Sequence, residues 1–160
     1  MQDSTIKLVT TTTFAAVGVA LIVLLAAACS SGGEEAADLG DAEAQIEATG
    51  AIPIAGEADF EEEDDGSVSA EIAVEGGPPG IHGVHIHEVG DCGDAGMNAG
   101  DRLGELGDMT VDAAGIGLLE LSSSDWSVGD GGETDLMGRA VIIVSGTDRI
   151  ACGVIEADPD

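Results

Sequence analysis

Beyond residue 42 the chain alternates apolar and polar positions in short runs separated by turn-forming residues. The clearest run is "SVSAEIAVE". In an extended chain Val68, Ala70, Ile72 and Val74 share one face, while Ser69, Glu71 and Glu75 share the other. "AQIEATG", "IPIAGEADFEEE", "IHGVHIHEV", "DMTVD", "GLLELS", "GRAVIIV" and "ACGVIEA" have similar lengths. Between them stand "DDG", Pro78-Pro79-Gly80 and "AAG", and no convincing helical period occurs. About eight short strands with Gly/Asp-rich turns predict an all-β sandwich or flattened barrel. The acidic run 61–65 is expected at a solvated hairpin tip rather than in a calcium site. Residues 122–135 read as a polar loop, with Trp126 as its anchor against the barrel.

The start of the chain follows another pattern. Residues 14–28, "FAAVGVALIVLLAAA", form an apolar run that ends at Cys29. It is short of the ~20 residues of a membrane span and suits the core of a signal peptide. "AAAC" resembles a bacterial lipobox, in which Cys29 is lipidated and becomes the new N-terminus. The expected organisation is a lipoprotein signal peptide over 1–28, a flexible acidic tether over 29–42 and one β domain over 43–160. The expected location is extracytoplasmic, with the Cys29 lipid as the only membrane contact.

Cysteine count and charge narrow the picture further. With Cys29 lipidated, Cys92 and Cys152 remain as a natural disulfide pair in an oxidising compartment, the alternative being two buried thiols. The chain carries 32 Asp and Glu against four Lys and Arg, a formal charge of −28. Nucleic acid and anionic lipid would be repelled, so neither is expected as a partner. Such a surface fits a high-salt habitat or simply an acidic set of exported proteins. Aromatic residues are confined to Phe14, Phe60 and Trp126, so Val, Ile, Leu and Ala must build the core.

All three histidines, His82, His85 and His87, lie in "GIHGVHIHEVGDC". Positions i and i+2 of a strand share a face, so His85 and His87 project together while Val84 and Ile86 turn into the core. Two adjacent imidazoles can grip one metal ion, although such pairs also occur with nothing bound. His82 falls at an odd offset and reads as a structural, hydrogen-bonded residue. No histidine follows "LELSSSDWS", so no Ser-His-Asp triad can form, and there is no phosphate loop or C-x-x-C pair.

The histidine stretch, with "GELGDMTVDAAG", "GRAVIIV" and "RIACGVI", resembles the Cu/Zn superoxide dismutase family over roughly residues 44–155. The resemblance implies a Greek-key barrel of eight antiparallel strands. It implies His85 and His87 as copper ligands, His82 as a structural histidine, a Cys92–Cys152 disulfide, and Arg149 as the arginine that guides superoxide. The family has four copper histidines, one bridging to zinc. Here the bridging position falls near Asp101, a zinc histidine aligns with Arg102 and the zinc aspartate with Glu105. The last copper histidine aligns with Val144, and the long loop after it is reduced to "SGTD". Copper-only relatives lack zinc but keep all four copper histidines. No zinc site is therefore expected, and any copper site is incomplete, with Asp101 or Glu105 as the nearest oxygen donors. Three readings stay open: a weak copper dismutase acting on superoxide, a copper-binding module, and a barrel retained as a structural or interaction domain. A homodimer, usual in the family, is compatible with the sequence.

Overall fold

A computed structural model describes residues 40–158. The apolar run, Cys29 and almost all of the tether lie outside the described residues. Eight strands form one antiparallel sheet: β1 (Asp41–Ala48), β2 (Ala55–Glu62), β3 (Val68–Glu75), β4 (Gly80–His87), β5 (Arg102–Val111), β6 (Gly117–Ser123), β7 (Ala140–Ser145) and β8 (Asp148–Val154). A two-residue strand, β9 (Glu156–Ala157), pairs with the start of β1. The strand order is β2-β3-β6-β5-β4-β7-β8-β1, and pairing of β1 with β2 closes the barrel. The expected eight-stranded Greek-key barrel is therefore the fold. The only helical element among the described residues is a 3-10 turn at Met97–Ala99.

Strand alternation sets what is inside. Val68, Ala70, Ile72 and Val74 of β3 are buried and their neighbours are not, as the period-two pattern predicts. Ala42, Ala44 and Ile46 of β1, Phe60 of β2, Val84 and Ile86 of β4, Met109 of β5, and Val141 and Ile143 of β7 complete the same interior. β1 starts at Asp41 and buries Ala42, so the barrel begins slightly upstream of residue 43. Residues 63–67 form the exposed turn between β2 and β3, as expected of the acidic run. Trp126 packs against the core; a Cβ added at Gly104 would stand 2.6 Å from its ring.

β7 is buried on both faces. Val141 and Ile143 point into the barrel, whereas Ala140 and Ile142 point outward into a second small cluster with Ala99, Cys152, Cys92 and Val144. That outer cluster exists because the segment after β4 folds back over β7 and β8. Backbone bonds from Glu88 to Asp101 (3.1 Å) and from Val89 to Ala99 (3.0 Å) close this segment at its base. A disulfide between Cys92 and Cys152 pins it to β8, with Cα atoms 5.7 Å apart.

Candidate metal site

Gly83, His85 and His87 lie on the outer face of β4, opposite in register to Val144, Ile142 and Ala140 of β7. His85 is half-buried, and His87, at 4% exposure, is covered by the disulfide-pinned segment. Their ring centroids are 6.5 Å apart with planes inclined at 36°. Gly83 is required by this arrangement, because a Cβ there would stand 2.8 Å from His85 Nε2. The His85 ring thus lies back along its own strand.

Each imidazole has a definable proton position. His87 Nδ1 is 3.0 Å from Gly100 O, an acceptor only, so Nδ1 carries the proton and Nε2 the lone pair. At His85 the polarity is set by Arg102, whose Nη1 donates to Nε2 over 3.3 Å. In the neutral His85 ring Nε2 is therefore the acceptor. Burial, then the nearby Arg102 charge, holds His85 below the ordinary histidine pKa. Burial also depresses His87, outweighing the opposite effect of the Gly100 bond, with Arg149 and Arg102 adding to the depression. Both shifts favour the neutral rings.

His82 occupies the other face, with Val84 and Ile86, as its offset predicts. It is 3% exposed, and Nε2 donates to Pro78 O over 2.7 Å. Its buried Nδ1 has no hydrogen-bond partner among the described residues. Arg149 reaches from β8 into the covering segment and donates to Gly96 O and, over 3.3 Å, to Gly100 O. Gly100 O therefore receives both His87 and Arg149.

β5 supplies the remaining groups. Two register shifts in the β4–β5 pairing set Glu105 opposite His85 and Arg102 opposite His87. Arg102 and Glu105 are both half exposed, and Arg102 Nη1 lies 3.9 Å from Glu105 Oε2. The Arg102–His85 contact is the feature that sequence reasoning missed. It depends on a bulged register, for which Gly104 and Gly107 in β5 are the available sequence signal. On the other side, "SGTD" forms a tight hairpin with Ser145 paired to Asp148, so the β7–β8 connection does not reach over the histidines.

A family model described as copper/zinc superoxide dismutase (SODC) matches residues 54–155. Superoxide dismutase [Cu-Zn] A of Xenopus laevis is 29% identical over 131 residues, covering 60% of this chain and 85% of that protein. Superoxide dismutase [Cu-Zn] of Onchocerca volvulus is 28% identical over 96 residues, covering 51% of this chain and 61% of the relative. Among solved structures, the clock protein EA4 aligns with a TM-score of 0.65 at 23% identity, over 74% of this chain and 95% of that one, which bears on the fold alone. The chain belongs to the copper/zinc superoxide dismutase family.

The donor set does not fit the family's paired copper and zinc centre. His85 and His87 from one strand are the only imidazoles on this face, and the two cysteines other than Cys29 are spent in the disulfide. Val144 stands across from Gly83 and has no metal-binding atom. A metal–imidazole bond of about 2.0–2.1 Å puts a ring centre roughly 3.2 Å from the ion, so rings sharing one ion stand at most about 6.4 Å apart. The observed separation reaches that limit, where only ligation from opposite sides would serve. Among the described residues, the group of three or more potential ligands close enough to share an ion is Glu43, Glu57 and Asp59, on β1 and β2.

Proposed function

We propose that this protein is a lipid-anchored, extracytoplasmic member of the superoxide dismutase family whose metal centre is degenerate. On this reading His85 and His87 offer at most a weak copper site, no zinc is held, and superoxide dismutation is at most slow. The single observation that carries it is the Arg102 guanidinium on His85 Nε2, where a metal-ligand histidine would keep its lone pair free. Loss of even an outer partner of a metal ligand costs about 10–100-fold in affinity, and here two ligands are missing.

Electrostatics support the same reading. Fast dismutation of an anion needs positive steering, whereas this chain carries −28. Arg149 is engaged with two carbonyls, a role that holds the covering segment whether or not it also guides superoxide. What the barrel retains is its core, its disulfide and its closure, none of which depends on the outer imidazoles. A structural or interaction role at the cell surface is thus the second reading.

The test is copper and zinc content of the purified full chain after loading and desalting. Wild type is compared with the His85→Ala/His87→Ala variant. The proposal expects no zinc and substoichiometric copper that the variant loses, while melting falls through loss of the buried His87 side chain and its Gly100 bond. Stoichiometric retention of both metals would overturn it. Lipid labelling that disappears in Cys29→Ser tests the anchor separately.

A further inference from the structure

We propose that Arg102 is a built-in competitor for metal at the histidine pair: its guanidinium takes the place of a bound cation and closes His85 to copper. This rests on the reading of a degenerate copper site and adds the residue that keeps it closed.

The argument is one of lone pairs. A neutral imidazole has one protonated nitrogen and one lone pair. With Arg102 donating to Nε2, the lone pair of His85 is already in use. Ligation through Nε2 therefore requires Arg102 to leave. Ligation through Nδ1 requires the proton to move to Nε2, which would then face an Arg102 N–H, donor against donor. Either nitrogen becomes a ligand only when the guanidinium withdraws, and a remaining guanidinium also repels an incoming cation.

The position of Arg102 is built by the fold. The register shifts in β4–β5 bring residues 102 and 105 beside the two histidines, and Glu105 approaches the guanidinium from the same strand. Gly83 leaves room for the His85 ring to lie back where Arg102 meets it. Arg102 is half exposed, so it is a removable block rather than a buried one.

The experiment is copper(I) titration of the full chain against a competing colorimetric chelator. It compares wild type, Arg102→Ala and Arg102→Ala/His85→Ala, with thermal unfolding recorded for each. Arg102→Ala is expected to bind copper(I) about tenfold more tightly, the scale of one hydrogen bond to a charged group, and the double variant is expected to lose that gain. Equal affinity for wild type and Arg102→Ala, or a gain that persists without His85, would overturn the proposal. In a second readout, the ¹⁵N resonance of His85 Nε2 should shift in Arg102→Ala at constant pH while His82 stays in place; an unmoved His85 resonance also counts against it. Tight stoichiometric copper in the wild type would instead overturn the degenerate-site reading, so the two failures are distinct.

Discussion

Asp59 stands directly across from Glu71 in the β2–β3 pair and directly across from Glu43 in the β1–β2 pair. The row continues, since Glu43 faces Glu156 of β9 and Glu71 faces Glu120 of β6. Carboxylates thus oppose one another across five neighbouring strands, where like charges directly opposite destabilise a sheet. Partial burial, followed by the charges of Glu57, Glu71, Glu43 and Asp158, raises the Asp59 pKa.

The sign follows from that direction. A carboxyl group with a raised folded pKa favours the folded state when protonated, and this contribution disappears as pH rises from 3.8 through the folded value. At neutral pH and low salt Asp59→Asn should raise the melting temperature. In molar salt, where the screening length is about 3 Å, the part of the gain due to the neighbouring carboxylates should shrink, while the part due to burial stays. Thermal unfolding of both proteins across a salt series checks this, and a gain independent of salt would count against the charge ladder.

Breaking the disulfide should have a larger effect. Cys92 and Cys152 are 60 residues apart, a closure worth on the order of 4 kcal/mol in chain-entropy terms. Because the bridge pins the segment whose carbonyls hold Arg149 and His87, Cys92→Ser/Cys152→Ser should also loosen those contacts. The expected result is a much lower melting temperature with faster amide exchange at residues 93–101. Local exchange that stays as slow as in wild type would separate the segment from the bridge.

Asp135 anchors the loop between β6 and β7. Its carboxylate accepts backbone N–H bonds from Gly129 (2.9 Å), Gly131 (2.7 Å) and Met137 (2.9 Å). Burial alone would raise its pKa, but these three bonds and Arg139 outweigh it and the net shift is downward. The stabilisation is therefore present above 3.8 and fades as pH falls through the lower folded value. Asp135→Ala should cost about 2 kcal/mol at pH 7, and less under strongly acid conditions. Denaturant unfolding at both pH values measures the difference.

Much of the barrel was legible because its strands alternate so regularly: Val68 to Val74, and Val84 with Ile86 against His85 with His87, fall on the faces that period two assigns. The Cys92–Cys152 bridge followed from cysteine count as well as from family likeness. Asp135 was not legible as an anchor, because in sequence it is one acidic residue in a polar loop and only the folded loop aims three N–H groups at it. The Arg102–His85 contact was hidden for a related reason. Regular pairing of β4 with β5 would not bring these residues together, and the two register shifts that do so are marked in sequence only by Gly104 and Gly107, which stand beside them.

Superoxide decay followed by stopped-flow on the full chain tests the central claim most directly. The chain is measured apo and copper-loaded, at low and high salt, beside His85→Ala. A degenerate site predicts little or no copper-dependent decay beyond that of the free ion at either salt concentration. Rapid copper-dependent decay that His85→Ala abolishes would contradict the account and make two histidines sufficient for catalysis.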